Sequence, residues 1–405
     1  MSDWDASRIR RLRSAVLRWY QMHGRVLPWR ASSDPYRIWI SEIMLQQTTV
    51  AAVVPYFDRF VASFPDVFSL AHAREADVLK LWEGLGYYSR ARNIHRAAQL
   101  LVGDYAGEFP QDVAELQQLP GIGRYTAGAI ASFAFGKAAP IVEANTLRLY
   151  SRLLGLTIDP RSTAGQTQLW DFAGQIVAPK QPASFNQAVM DLGATLCRTA
   201  DPDCPRCPLK SCCDAFQQGQ QDVIPALSSR TAMTDVCEAS VAILKGGQVL
   251  LRQRSEKERW AGMWDFARFE IPPSLADQLP APSYAAAARA ASQKRNGTAR
   301  SLFDAADEVS AVPLPPEMIV GLEERTGLKL MNYEAVAEIR HVVTRYRIRL
   351  ICLKTQSRGG RVRRDSGFEW KKLTDLQELP LSKTARQMAD LLLASPSKPK
   401  SPVRR

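Results

Sequence analysis

Residues 119–132, Leu-Pro-Gly-Ile-Gly-Arg-Tyr-Thr-Ala-Gly-Ala-Ile-Ala-Ser, decide the fold of the first half of the chain. An apolar segment ends at Leu119-Pro120, Gly121 and Gly123 turn the chain, and a run of small residues from Ala127 to Ser132 continues a second helix. Glycine lets a backbone come close to another group, and the N-terminus of the following helix offers free N–H groups. A phosphate can therefore rest at Gly121, Gly123 and Arg124 without any base being read. The spacing predicts a helix-hairpin-helix over about 112–132; a plain helical turn closed by glycine is the alternative.

Outward from this turn, residues 8 to about 196 read as helix after helix. Apolar positions at helical spacing, such as Val78, Leu79, Leu81, Trp82 and Leu85, are punctuated by Gly84, Gly86, Phe64-Pro65 and Phe109-Pro110. Residues 214–236 are polar and irregular, and beyond them the pattern changes to period two. Val241–Leu244, the turn-like Lys245-Gly246-Gly247-Gln248 and Val249–Leu251 predict a hairpin. A further strand is expected with Tyr346, Ile348, Leu350 and Cys352 on one face and Arg345, Arg347 and Arg349 on the other. Residues 280–300, rich in Ala, read as an insertion or mobile segment, and 395–405 as a disordered basic tail. The expected organisation is multi-domain: an all-α domain over 1–213, a linker over 214–236 and a smaller α+β domain over 237–394.

The all-α part ends in four cysteines, Cys197, Cys204, Cys207 and Cys213, spaced C-x6-C-x2-C-x5-C. Thiolates this close together, in a reducing compartment, are more naturally shared by one soft metal centre than paired as disulfides. The spacing suits a [4Fe-4S] cluster over the loop 197–213. A four-cysteine zinc site is the alternative, although zinc ribbons usually combine two C-x2-C hairpins and only one occurs here. Cys212 competes with Cys213 as last ligand. Cys237 and Cys352 are isolated and read as ordinary small buried residues.

At 405 residues the chain is too long for one typical core, and 53 Lys+Arg against 41 Asp+Glu give a net charge of +12, which suits a polyanionic partner. No stretch approaches eighteen uninterrupted apolar residues, and the opening MSDWDASRIRRLR lacks the apolar core of a signal peptide. A soluble protein with no membrane association, cytoplasmic and nucleoid-associated in the bacterial manner, is expected, acting as a monomer.

Further strings occur in order: Pro28–Arg30 (PWR), Asp34–Tyr36 (DPY), Ser41–Thr48 (SEIMLQQT), Gly84–Asn93 (GLGYYSRARN), Leu119–Ser132 and Phe185–Ala194 (FNQAVMDLGA), followed by the cysteine loop. Together they closely resemble the MutY adenine DNA glycosylases, members of the helix-hairpin-helix DNA glycosylases, strongly over about 12–225 and more loosely beyond. The resemblance implies a monofunctional enzyme that hydrolyses the N-glycosidic bond of adenine mispaired with 8-oxoguanine or guanine in double-stranded DNA, in base excision repair, and that carries a [4Fe-4S] cluster.

Chemistry places residues in that scheme. Glu42 stands in a strongly apolar helix, where burial would keep a carboxyl protonated as a general acid requires; the resemblance makes it the residue that protonates adenine N7 and then helps the attacking water. The family's usual D-G-N reads Glu143-Ala144-Asn145 here, so Glu143 would carry the charge that stabilises the sugar cation, one methylene further out, with Asn145 holding it in place. Endonuclease III-like lyases carry lysine after the hairpin for Schiff-base chemistry, whereas this chain has Tyr125. The resemblance further assigns Gln46, Gln47 and Tyr87 to the wedge filling the gap left by a flipped nucleotide, Trp29, Arg30 and Gln187 to the adenine pocket, and Thr48 to substrate binding. Arg198, Arg206 and Lys210 would face phosphates from the cysteine loop.

The C-terminal part resembles the Nudix-like domain with which the family reads 8-oxoguanine, through Trp260–Phe266 and through Trp370 with Leu379–Ser382. The magnesium-holding R-E-x-x-E-E-x-G of Nudix hydrolases is reduced over Val320–Gly327 to Glu324 and the glycine, so pyrophosphohydrolysis is not expected. The family's F-S-H triplet appears as Val343-Thr344-Arg345, leaving Thr344 as the hydroxyl that would meet the lesion. An endonuclease III-like glycosylase/lyase and a catalytically weak lesion-binding protein are the rival readings.

Overall fold

The helix Pro35–Leu45 starts because Asp34 caps it, its carboxylate accepting the Tyr36 N–H at 2.9 Å, and because proline at the first position has no N–H to leave unpaired. Tyr36, Ile38, Trp39, Ile40, Ile43 and Met44 bury it on nearly every side, so it is a core helix and not an amphipathic surface one. In this computed structural model, residues 4–226, 232–295, 314 and 316–394 are described.

The chain divides into two units, Met1–Ala73 with Arg90–Arg230, and Arg74–Ser89 with Thr231–Arg405. In the first, the helix Pro182–Thr195 packs against Ala6–His23, Ala144–Leu153 and Arg124–Phe133, and the last of these also packs on Pro35–Leu45. Small residues set the approach distances. A Cβ on Gly128 would fall 2.4 Å from the Pro140 carbonyl oxygen, and one on Gly193 would fall 2.8 Å from Asn145 Cβ. Leu12, Val16, Leu149, Phe172, Phe185, Val189 and Leu192 form one apolar cluster among these helices.

The residues expected to form a linker, 214–236, depart from that reading at both ends. Asp214–Gln217 is a helical turn whose Asp214 is buried against Arg8, Ile224 is buried with its carbonyl accepting from Arg152 Nε at 2.8 Å, and the first strand already starts at Thr234. Charged and apolar partners on the helical unit hold what looks, in composition alone, like a spacer.

The second unit is built on a seven-stranded sheet of β1 (Thr234–Lys245), β2 (Gln248–Gln253), β3 (Trp264–Asp265), β4 (Ala267–Glu270), β5 (Leu328–Val343), β6 (Tyr346–Gly360) and β7 (Phe368–Lys372). The path runs β3-β2-β1-β6-β5, with β4 on β1 and β7 on β2; β1 and β6 are parallel and the other pairs antiparallel. The expected hairpin is present, Leu244 facing Val249 and Lys245 facing Gln248 around Gly246 and Gly247, both at positive φ. On β6, Ile348, Leu350 and Cys352 enter one core while Ile351 and Leu353 enter another on the opposite face. The arginine face therefore gives way to apolar residues half-way along the strand. The strings Trp260–Phe266 and Leu379–Ser382 meet where Trp264 N–H donates to the Pro380 carbonyl at 2.8 Å.

Within 280–300, expected as an insertion or mobile segment, Tyr284–Arg295 is a helix with Ala287 and Ala291 buried, which departs from the mobile alternative; 296–300 and the tail 395–405 lie outside the described residues. Alanine is the best helix former, and its small side chain fits tightly against other elements. The segment Arg74–Ser89 goes with the second unit, where Arg386 Nε holds Glu83 Oε1 at 2.5 Å.

Candidate active site

A cavity of about 700 Å³ opens in the helical unit, lined among others by Trp29, Arg30, Glu42, Gln46, Gln47, Thr48, Tyr125, Glu143, Asn145 and Gln187. Ten of the residues singled out from the sequence thus share one space of ligand-pocket size. Each comes from a different local device. Glu42 projects from the core helix Pro35–Leu45 and is 3% exposed. Gln46 ends that helix, and Gln47 follows in the left-handed region at φ 57°, a conformation an ordinary side chain adopts at a cost. Tyr125 stands on the first turn of the helix after the glycine hairpin, and Glu143 on the approach to Ala144–Leu153.

The Tyr125 hydroxyl donates to Glu42 Oε2 at 2.5 Å. Burial pushes the Glu42 carboxyl up to about 7; the Tyr125 hydrogen bond and the Arg30 charge oppose that rise, and the Glu143 charge adds to it. Burial first, then the Glu42 and Glu143 charges, raise the Tyr125 phenol far above its ordinary value, so it remains a donor. Glu143 caps its helix, accepting the N–H of Asn145 and of Thr146, each at 2.9 Å, and the Asn145 amide at 3.3 Å. Burial raises its carboxyl above the ordinary range although these donors favour the anion.

Arg30 is fixed by a residue that the sequence reading passed over. Asp191, fully buried, takes Arg30 Nη1 at 2.8 Å and Nη2 at 3.0 Å in a two-pronged bond, and also the Arg25 Nε at 2.7 Å and the Arg25 N–H at 3.1 Å. Burial works against its charge, but the hydrogen bonds and charge of Arg30, with those of Arg25, win and hold the carboxyl below its ordinary value. Gln187 is oriented by Tyr20, whose hydroxyl donates to Gln187 Oε1 at 2.5 Å. A lone carboxylate in the apolar helix Pro182–Thr195 is the signal that would have found Asp191, by the reasoning that found Glu42. Among the residues lining the cavity there is no lysine.

The hairpin is as expected: Gly121 has φ 79° and Gly123 caps Arg124–Phe133. The Arg124 guanidinium, however, lies 4.0 Å over the Trp170 ring. Tyr87 and Thr344 belong to the other unit. Both are at positive φ, 49° and 52°, and Thr344 turns the chain between β5 and β6.

Cys197, Cys204, Cys207 and Cys213 line one further cavity, while Cys212 is buried outside it with its carbonyl accepting from Arg8 Nη2 at 2.9 Å. Of the two adjacent cysteines, Cys213 is the one that lines this cavity. Buried Arg152 donates to Cys197 Sγ at 3.2 Å. Burial pushes the Cys207 thiol up to about 12 and Cys213 to about 11, so a positive centre among them is what would favour deprotonation. The donor set fits a thiolate-ligated cluster. Among the described residues no three Cys, His, Asp or Glu side chains converge as ligands for a single metal ion, and no helix is long and apolar enough to cross a membrane.

A family described as the HhH-GPD superfamily base excision DNA repair proteins matches residues 40–173. The chain is 37% identical over 322 residues to the adenine DNA glycosylase of Mus musculus, covering 67% of this chain and 62% of that protein. It is 42% identical over 245 residues to that of Homo sapiens, covering 58% of this chain and 45% of that protein. With the Buchnera aphidicola (Acyrthosiphon pisum) protein of the same name the identity is 38% over 256 residues, 63% of this chain and 73% of that protein. The chain thus spans less than two thirds of the length of the two mammalian relatives. On the Buchnera match, with the carboxylates, tyrosine and hairpin in place, the chain belongs to the adenine DNA glycosylase family.

Proposed function

We propose that this protein hydrolyses the N-glycosidic bond of adenine mispaired with 8-oxoguanine or guanine in duplex DNA, in base excision repair. The observation that carries the reading is a buried carboxyl, Glu42, poised near neutrality inside a cavity that a flipped base would fill. Glu42 delivers its proton to N7 of the base as the C1′–N9 bond breaks and its electron pair leaves with N9. The Glu143 carboxylate faces the positive charge left on the sugar. Water then adds its oxygen to C1′, and its proton returns to Glu42. With Tyr125 where a lyase would carry an amine and no lysine in the cavity lining, the product is an intact strand with an abasic site.

Trp29, Arg30 and Gln187 would hold the adenine, and Gln46 and Gln47 would fill the gap it leaves. Gly121, Gly123 and the helix start at Arg124 would sit on the backbone, with the Arg124 side chain turned onto Trp170. A [4Fe-4S] cluster held by Cys197, Cys204, Cys207 and Cys213 would supply a rigid anchor for the loop that carries Arg198, Arg206 and Lys210. The mixed sheet with helices on both faces supports a Nudix-like domain, with Thr344 reading the 8-oxoguanine. Duplexes carrying adenine opposite 8-oxoguanine, adenine opposite guanine, or thymine glycol test the reading: release of adenine alone, with strand breakage only after alkali, is expected, and breakage at thymine glycol without alkali would overturn it.

A further inference from the structure

Gln187 lines the cavity of the helical unit, and which way round its amide stands decides what it can recognise. The amide has two ends of opposite polarity, an oxygen that accepts and an NH2 that donates, and the neighbouring groups select between the two orientations. The neighbour here is Tyr20, on the helix Ala6–His23, whose hydroxyl donates to Gln187 Oε1 at 2.5 Å. Burial raises the Tyr20 phenol above its ordinary value, so the hydroxyl keeps the proton that it donates.

The polarity is set further back. Asp191, fully buried and held as an anion, can only accept, and it fixes Arg30 through Nη1 at 2.8 Å and Nη2 at 3.0 Å. Arg30 can only donate, and its guanidinium, 5.9 Å from the centre of the Tyr20 ring, acts on the phenol by charge and by hydrogen bonding. The phenol oxygen therefore turns a lone pair to Arg30 and its hydrogen to Gln187. With the amide reversed, the NH2 would face an oxygen already opposite a guanidinium, and the phenol hydrogen would lose this acceptor. One order of donors and acceptors thus runs from Asp191 through Arg30 and Tyr20 to Gln187, and it leaves Nε2 and the second lone pair of Oε1 for a ligand.

We propose that Tyr20 is a positioning residue that sets base specificity, acting through Gln187 to admit adenine and to reject a base of the same shape with the opposite hydrogen-bonding order. The inference rests on the adenine glycosylase reading, in which Glu42 serves N7 and the N6–N1 edge is left for the amide. Along that edge adenine has a donor at N6 and an acceptor at N1, which match Oε1 and Nε2 of the held amide. Hypoxanthine has an acceptor at O6 and a donor at N1. It needs the reversed amide, and Tyr20 opposes the reversal; a site whose polar groups are left facing like groups discriminates strongly.

Single-turnover excision by the full chain, from duplexes carrying deoxyadenosine or deoxyinosine opposite 8-oxoguanine, tests it with Tyr20→Phe, Gln187→Ala and the double variant, each checked by a melting curve. Tyr20→Phe frees the amide to turn, so the ratio of adenine to hypoxanthine excision should fall about tenfold. Gln187→Ala should lower the ratio by a similar factor, and the double variant no further, since both changes remove one interaction. A residue that only supports the fold would slow both bases alike. An unchanged ratio in Tyr20→Phe or in Gln187→Ala therefore overturns the proposal, as does a double variant that shows the product of the two losses. A parent protein that releases no adenine overturns the glycosylase reading itself, and the inference with it.

Discussion

The phenol of Tyr125 and the carboxyl of Glu42 share a 2.5 Å hydrogen bond inside the cavity of the helical unit, and the bond acts on the acidity of Glu42. It opposes the rise that burial causes, because it favours the ionised carboxylate. A general acid works only while protonated, so excision falls as pH rises through the Glu42 pKa of about 7. Tyr125→Phe removes the opposing bond and raises that pKa. The alkaline limb of the single-turnover rate should move to higher pH, measured between pH 5 and 9.

Glu42→Gln keeps shape and loses the transferable proton. Affinity for the mispair in a gel-shift assay should persist, while single-turnover excision falls by roughly 10² to 10⁴.

Glu143 caps a helix and, in the proposed mechanism, also faces the sugar, and substitutions separate the two roles. Glu143→Gln retains an oxygen for the Asn145 and Thr146 N–H groups but loses the charge, so excision should drop strongly with little change in melting temperature. Glu143→Ala should add a capping loss of about 1 kcal/mol. Glu143→Asp keeps charge and cap and should be far milder. Unimpaired excision by Glu143→Gln would remove the residue from the mechanism.

Asp191→Asn leaves two guanidiniums, Arg25 and Arg30, without their shared counter-charge, a loss of about 3–5 kcal/mol for a broken buried pair. The native carboxyl is held below its ordinary value, so its contribution is present above an unfolded pKa of about 4 and is lost as pH falls through the folded one. The stability gap between parent and variant, from urea titrations, should therefore narrow on acidification below about pH 4.

Cys204→Ser should lower iron content and DNA affinity, whereas Cys352→Ser, inside the sheet core, should leave both unchanged. Iron analysis and visible absorption check this, and zinc in place of iron would overturn the cluster.

What was legible in the sequence was what local chemistry marks. Glu42 stands out as a carboxylate in an apolar run, Gly121 and Gly123 as turn formers, and Gly246-Gly247 as a hairpin. Asp191 lay in the quoted string Phe185–Ala194 and went unread because its partners, Arg25 and Arg30, are over 160 residues away. The helical turn at Asp214 was hidden for the same reason, its anchor Arg8 being 206 positions distant. Tyr284–Arg295 was misread because alanine among charged residues looks like a spacer until a sheet is there to receive Ala287 and Ala291.

The packing of Ala6–His23 on Pro182–Thr195, with Arg8 tied to Asp214, sets an order of events during synthesis. Ala6–His23 is made well before the helices that cover it. At 5–20 residues per second, the ribosome takes roughly 10–40 s to bring Asp214 out after Arg8. Until Thr163–Ile176 and then Pro182–Thr195 have emerged, the stripe of Leu12, Val16 and Trp19 lacks these partners, so the nascent protein presents an early ligand for a holding chaperone.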